Sequence, residues 1–315
     1  MRNFADLLCE SIERKNNPTV MGLDPKLDYI PAFIREKNDA LFTNPEESAG
    51  ASILEFNKAL IDAVYDIIPA VKPQFAYYEM YGLYGLKALK ETISYAQSKG
   101  MLVIADAKRN DIGTTATAYA NSIIGKTSYG EDLEISMYGC DCVTVNGYLG
   151  SDGINPFLDV CKADGKGIFA LVRTSNPSAG DLQDLELKDG RKVYEAMADM
   201  VNEWGKDLVG DLGFSSVGAV VGATWPEQAV DARKRMPQSL ILVPGYGAQG
   251  AGPDAAVASF TADGKGSIVN ASRSLMCAWK KREDLKPEDC AKATRDEAVD
   301  MRDKLNNALK NRKYI

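Results

Sequence analysis

Short apolar runs rich in β-formers alternate with helix-patterned stretches from one end of this chain to the other, and that alternation restricts the fold more than any other feature. Eight runs stand out: Thr19–Gly22, Ala70–Gln74, Leu102–Asp106, Cys142–Asn146, Gly167–Arg173, Val217–Gly222, Leu240–Pro244 and Ser267–Ala271. Several are almost continuously apolar, the pattern of parallel strands buried on both faces. Helical periodicity fills the intervals, as in Gly85–Ser98 and Val193–Leu208. Alternating strand and helix imply a parallel sheet, and eight units favour a closed barrel over an open sheet. Length alone would also admit two smaller domains. A (β/α)8 barrel takes roughly 250 residues and tolerates insertions. The 315 residues therefore read as one α/β domain, residues 1–315, a single (β/α)8 TIM barrel with extra N- and C-terminal helices.

Those extra helices have their own signatures. Phe4, Leu7, Leu8 and Ile12 recur at helical spacing near the start, and residues 287–311 carry Ala298, Met301, Leu305 and Ala308 on one face. The many charges of the latter read as a solvated helix face. Residues 25–50, rich in Pro, Asn and charge, look like an insertion after the first strand, and residues 176–190 form a polar loop after the fifth. Loops on the C-terminal rim of a barrel commonly cover a site.

The chain has no histidine. Ser-His-Asp triads, Cys-His pairs, HExxH zinc sites and imidazole acid–base chemistry are thereby excluded. A catalytic site must draw on Lys, Asp, Glu, Arg, Tyr, Cys or a bound cofactor. The net charge of −7 argues against nucleic acid or an anionic membrane as the main partner. Any phosphate must then be caught locally, by a few placed groups. Six cysteines (Cys9, Cys140, Cys142, Cys161, Cys277 and Cys290) form no CxxC and repeat no spacing. They read as buried thiols in a reducing compartment, not as metal ligands or a disulfide framework. No apolar run is long enough for a transmembrane helix. Acidic residues interrupt MRNFADLLCESIERKNN, unlike a secretory signal. A cytoplasmic location is the default expectation.

The strongest chemical signal is the third strand and its continuation, VIADAKRNDIGTTATAYA. Asp106 and Lys108 are two residues apart, so in extended chain both face the same side, which at a barrel strand's end is the mouth. Asp111 follows beyond the strand, where it can reach over the rim. Such charges are costly to bury unless paired, so they mark either a salt bridge closing the strand end or a functional array. Lys72 ends the second strand in AVKPQF, as a snorkelling lysine or a site group. Asp24 ends the first strand in GLDPK, as a turn residue or a ligand group. The seventh unit, PGYGAQGAG, has G-x-G-x-x-G spacing, but too late in the chain for a dinucleotide fingerprint. Its glycines still let backbone approach an anion. Arg273 follows the eighth strand near a helix start, and the loops after strands seven and eight are the recurring phosphate site of barrels. Gln249 and Arg273 are the expected phosphate ligands. Thr174, Ser175 and Asn176, after the fifth strand, can hydrogen-bond a polar ligand or form a turn before Pro177.

Taken together, DAKRNDIG, the lysine of AVKPQF, the SNPSAG loop, PGYGAQG and the ASRS ending resemble the orotidine 5'-phosphate decarboxylase family, its longer bacterial-type branch in particular. The resemblance runs in order from about residue 18 to residue 278. It implies a lyase that converts orotidine 5'-phosphate to UMP with release of CO2, with no cofactor and no metal. Lys72, Asp106, Lys108 and Asp111 would form the catalytic array, Lys108 being the proton donor. Asp24 and Lys72 would hold the ribose hydroxyls, Ser175 would read the pyrimidine, and Gln249 would bridge base and phosphate. Arg273 would grip the phosphate. The active form would be a homodimer with shared active sites, Asp111 and Thr115 coming from the partner. Where the branch often has glycine, this chain has Asn110, a residue that tolerates left-handed backbone. The chemistry suits the residues. Losing CO2 from C6 leaves an in-plane ring anion, and nothing in the sequence signals PLP, thiamine or flavin to absorb it. A fixed ammonium can stabilise that charge and then deliver a proton. Two other readings compete: a Mg2+-dependent sugar-phosphate lyase or aldolase of the related barrels, such as hexulose-phosphate synthase, and a non-catalytic barrel that binds a phosphate ligand.

Overall fold

A computed structural model describes residues 2–247 and 250–312. All eight expected strands form: β1 (Thr19–Leu23), β2 (Ala70–Pro73), β3 (Leu102–Arg109), β4 (Cys142–Val145), β5 (Gly167–Arg173), β6 (Ser215–Val221), β7 (Ser239–Val243) and β8 (Ser267–Ala271). They pair in sequence order, all parallel, and β8 closes on β1 through Thr19↔Val269, Val20↔Asn270 and Met21↔Ala271. Helices cover the outside, among them Pro45–Val64, Gly82–Ser98, Gly113–Ile123, Ser151–Asp164 and Val193–Gly205. Pro45 starts the first of these behind the side chain of Asn44, which accepts from Glu46 N–H, a sequence-encoded cap with proline where no backbone donor is needed.

The barrel interior is a separate apolar cluster: Val20, Ala70, Ile104, Cys142, Phe169, Val220, Leu240, Leu242 and Ile268. Helix Phe4–Lys15 seals its lower end. Phe4 packs edge-on against Phe169 at 6.2 Å between centroids, and Ala5 and Leu8 join the same cluster. Side chains alternate along a strand, so residues two positions further on face the same interior, nearer the C-terminal ends. Those residues include Lys72, Asp106, Thr144, Leu171 and Asn270, and all of them border one cavity at the mouth. The fold thus stacks a polar layer on an apolar plug.

Some segments differ from expectation. Residues 25–50 are not mainly loop: a 3-10 turn (Leu27–Tyr29) and helix Ala32–Leu41 fill them before Pro45–Val64 begins. The polar loop after β5 holds a 3-10 turn at Pro177–Ala179 and a helical turn at Gly180–Gln183. A small antiparallel ribbon, Thr127–Ser128 with Glu134–Ile135, precedes β4. The C-terminal helix is Cys290–Lys310, and it buries Ala298, Met301, Leu305 and Ala308 as its periodicity indicates. The cysteines are all unpaired thiols, five of them buried. Among the described residues, no helix is long and apolar enough to cross a membrane.

Candidate active site

The cavity at the barrel mouth has a volume of about 730 Å³. Asp106 sits at its floor, 7% exposed, between two ammonium groups. Its Oδ2 accepts from Lys72 Nζ at 2.6 Å and its Oδ1 from Lys108 Nζ at 2.5 Å. Thr144 Oγ1 donates to the same Oδ1 at 3.0 Å. Burial pushes the Asp106 carboxyl up, but Lys72 and Lys108 outweigh it, and the group ends well below the usual carboxylate range. For Lys72, burial favours the neutral amine. Asp106 and Asp24 oppose that and hold its pKa above the ordinary lysine value. Lys72 is 4% exposed, a buried cation made tolerable by its carboxylate partners. Lys108 is the open member, its side chain 46% exposed.

The way Lys108 reaches this place is not the regular extended geometry of the sequence reading. Its φ is +47°, and with Asn16 it is one of two non-glycine residues of positive φ among the described residues. The left-handed position is thus Lys108 and not Asn110. A bulge in the β3–β4 pairing accompanies it, and the chain bends so that both side chains of the pair still meet.

Asp24, just past β1, lines the cavity. Burial raises its pKa, against the lowering effects of Lys72 and a hydrogen bond from Ser272. Its Oδ1 and the Oδ1 of Asn270 are buried acceptors without a protein donor. Asn270 Nδ2 donates to Ser272 Oγ at 3.2 Å. A Cβ on Gly22 would collide with that hydroxyl, so the barrel seam needs glycine there. Ser175 also borders the cavity, half-buried, with Thr174 and Asn176. Arg273 borders it too, as the first residue of the helical turn Arg273–Met276 after β8. Gly245, Gly247 and Gly250 all have positive φ. That explains the glycine spacing of the seventh unit as backbone geometry. Gln249 lies outside the described residues.

Asp111 and Thr115 are not brought to this cavity within one chain. Asp111 Oδ1 accepts from Ile112 N–H at 2.8 Å, and Thr115 is exposed on helix Gly113–Ile123. Sequence reasoning missed Thr144, Asn270 and Ser272, which join Asp106, Lys108 and Asp24 in the hydrogen-bond network. Period-two counting inward from Cys142 and Ile268 would have found them.

A closed eight-stranded barrel with a buried lysine–aspartate–lysine chain at its C-terminal mouth defines a (β/α)8 enzyme whose site is built from ammonium and carboxylate groups. The family model described as "Orotidine 5'-phosphate decarboxylase / HUMPS family" matches residues 48–286. The chain is 44% identical over 283 residues to orotidine 5'-phosphate decarboxylase of Rhodopirellula baltica, covering 90% of this chain and 91% of the relative. It is 43% identical over 306 residues to the Clostridium perfringens protein of the same name, covering 97% and 99%. The solved structure of Leishmania donovani OMP decarboxylase superimposes with a TM-score of 0.70 at 31% identity, covering 95% of this chain and 99% of that one. The chain belongs to the orotidine 5'-phosphate decarboxylase family.

Proposed function

We infer that the chain is a carboxy-lyase that decarboxylates orotidine 5'-phosphate to UMP in pyrimidine nucleotide synthesis, with Lys72, Asp106, Lys108 and Asp111 as its catalytic array. One observation carries this reading of the site: Lys72, Asp106 and Lys108 form an unbroken chain of charge on the cavity wall, with ion-pair distances of 2.6 and 2.5 Å. As CO2 leaves C6, negative charge grows in the plane of the ring. An ammonium already fixed there stabilises that charge without reorganising, which is where electrostatic catalysis gains most. Lys108 then delivers its proton to C6. Asp106 is held ionised by its two cations, and its charge beside the substrate carboxylate adds a repulsion that departure of CO2 relieves. The donorless buried oxygen of Asp24 suits a ribose hydroxyl, and Lys72 supplies a donor alongside it. Ser175 reads the base. Arg273 grips the phosphate, with Gln249 as the second phosphate ligand expected from the sequence. Binding the distant phosphate supplies energy for closing and aligning the site.

The reading includes a homodimer with shared sites, Asp111 and Thr115 acting in the partner's cavity. Both residues flank exposed Ile112, and Leu149 packs close to Gly153 beside the Asp111 carbonyl. Tyr148 and Leu149 are exposed as well, and exposed apolar side chains of this kind can mark an interaction site.

The decisive test is the fall in orotidylate ultraviolet absorbance with purified, EDTA-treated protein. Turnover is expected to survive the chelator, and loss of activity on EDTA treatment would turn the assignment toward a Mg2+-dependent sugar-phosphate lyase. In the same assay Lys108→Ala is expected to abolish turnover while leaving UMP binding largely intact. Near-wild-type rates in that variant would remove Lys108 from its role.

A further inference from the structure

The pairing of β3 with β4 breaks where the charge array sits. Ala105 is in register with Val143 and Arg109 with Val145, so Asp106, Ala107 and Lys108 together stand opposite the single residue Thr144. A bulged strand leaves backbone groups without ladder partners, and the Lys108 N–H takes a side-chain acceptor instead. Lys108 also takes a left-handed backbone, which persists only where the surroundings hold it. We propose that Thr144 is the positioning residue for the Lys108 ammonium, its one hydroxyl holding the Lys108 backbone and the Asp106 carboxylate in fixed relation.

The geometry is a two-way bridge. Lys108 N–H donates to Thr144 Oγ1 at 3.0 Å. The hydroxyl has a single proton to give. Asp106 Oδ1 lies at 3.0 Å and the Ala105 carbonyl at 3.5 Å, and the nearer, charged acceptor takes it. Asp106 Oδ1 is also the oxygen that accepts from Lys108 Nζ. Lys108 is therefore tied at both ends, through its amide and through its ammonium, to one hydroxyl–carboxylate unit. Thr144 is 1% exposed yet borders the cavity. Its β-branched side chain has few χ1 choices, so the oxygen stays between its two partners. Valine has nearly the same shape and makes neither bond.

This inference rests on Lys108 being the group that acts on substrate. Thr144→Val and Thr144→Ser, made in the full chain, test it. Thr144→Val is expected to lower kcat about tenfold or more with KM little changed, since small misplacement of a reacting group costs rate steeply. Thr144→Ser keeps the hydroxyl and is expected to retain kcat close to wild type. A second readout needs no substrate: hydrogen exchange at the Lys108 amide, followed in a peptide covering residues 105–110. It is expected to be slow in wild type and Thr144→Ser and faster in Thr144→Val. An unchanged kcat in Thr144→Val, a serine variant as impaired as the valine one, or unchanged exchange at Lys108 overturns the proposal. If Thr144→Val fails to fold by circular dichroism, Thr144→Ala replaces it under the same criteria. An inactive wild type would defeat the decarboxylase reading, whereas the exchange comparison would still decide the role of Thr144.

Discussion

Asp106 organises the site at the scale of single residues. Two ammonium groups and a hydroxyl converge on its two oxygens, and the carboxylate in turn makes the burial of Lys72 possible. Replacing it with asparagine leaves Lys72 short of its main counter-charge. Breaking a buried pair in this way costs about 3–5 kcal/mol, so Asp106→Asn is expected to be both inactive and markedly less stable. The pH dependence follows from the direction of the Asp106 shift. Its native pKa lies below the ordinary value, so the carboxylate binds its proton more weakly folded than unfolded. Its stabilisation is complete above the unfolded carboxyl pKa of about 3.9 and fades as the pH falls toward the lowered native value. Denaturant titrations of wild type and Asp106→Asn should therefore show a constant stability gap from neutral pH down to mild acid, narrowing below. A gap that widens toward acid would contradict the shift.

At the scale of elements, the end of β5 is tied to the unit after it by Arg173. This guanidinium is 2% exposed. It donates to Gln228 Oε1 at 2.5 Å, to Gln183 Oε1 at 3.1 Å and to Asp184 Oδ2 at 3.0 Å, and it stacks over Trp225 at 5.4 Å. Gln183 in turn accepts from Thr174 N–H at 2.9 Å and donates to Thr174 Oγ1 at 2.8 Å. The segment carrying Ser175 is thus pinned between the turn Gly180–Gln183 and helix Pro226–Arg235. Arg173→Met keeps apolar bulk and removes the forks. It is expected to raise KM about tenfold while moving kcat less, and to cost roughly 1–3 kcal/mol from polar partners left unsatisfied. Steady-state kinetics and thermal unfolding check this, and an unchanged KM would detach the loop from substrate binding.

The proposed homodimer, at the scale of the whole molecule, would divide the site between two chains. Asp111 and Thr115 stand outside the cavity of their own chain, near exposed Ile112. In a shared-site homodimer, mixing inactive Asp106 and Asp111 variants should restore part of the activity, because one of the mixed sites then has both carboxylates. Absence of rescue under exchange conditions would confine each site to one chain. Much of this architecture was legible in the linear sequence. The eight strands, an amphipathic helix through Phe4, Leu8 and Ile12, and the mouth-facing Asp106 all follow from local periodicity, which each segment carries in its own residues; Lys72 stayed open between a snorkelling lysine and a site group. Strand ends were less legible: β6 starts at Ser215 because Ser215 and Ser216 are buried by bonds to the Gly205 carbonyl and to Asn3, at 2.7 and 2.6 Å. The short exposed ribbon at 127–135 carries no strong pattern at all. What the chain alone settled is the parallel barrel and that Asp106 faces its mouth, since alternation along a strand is a local rule. Only the folded barrel decided that Lys108 turns left-handed opposite Thr144, and that Ser272 meets Asp24 and Gly22 where β8 joins β1. Those contacts link residues far apart in the chain, and closing the ring is what brings them within reach.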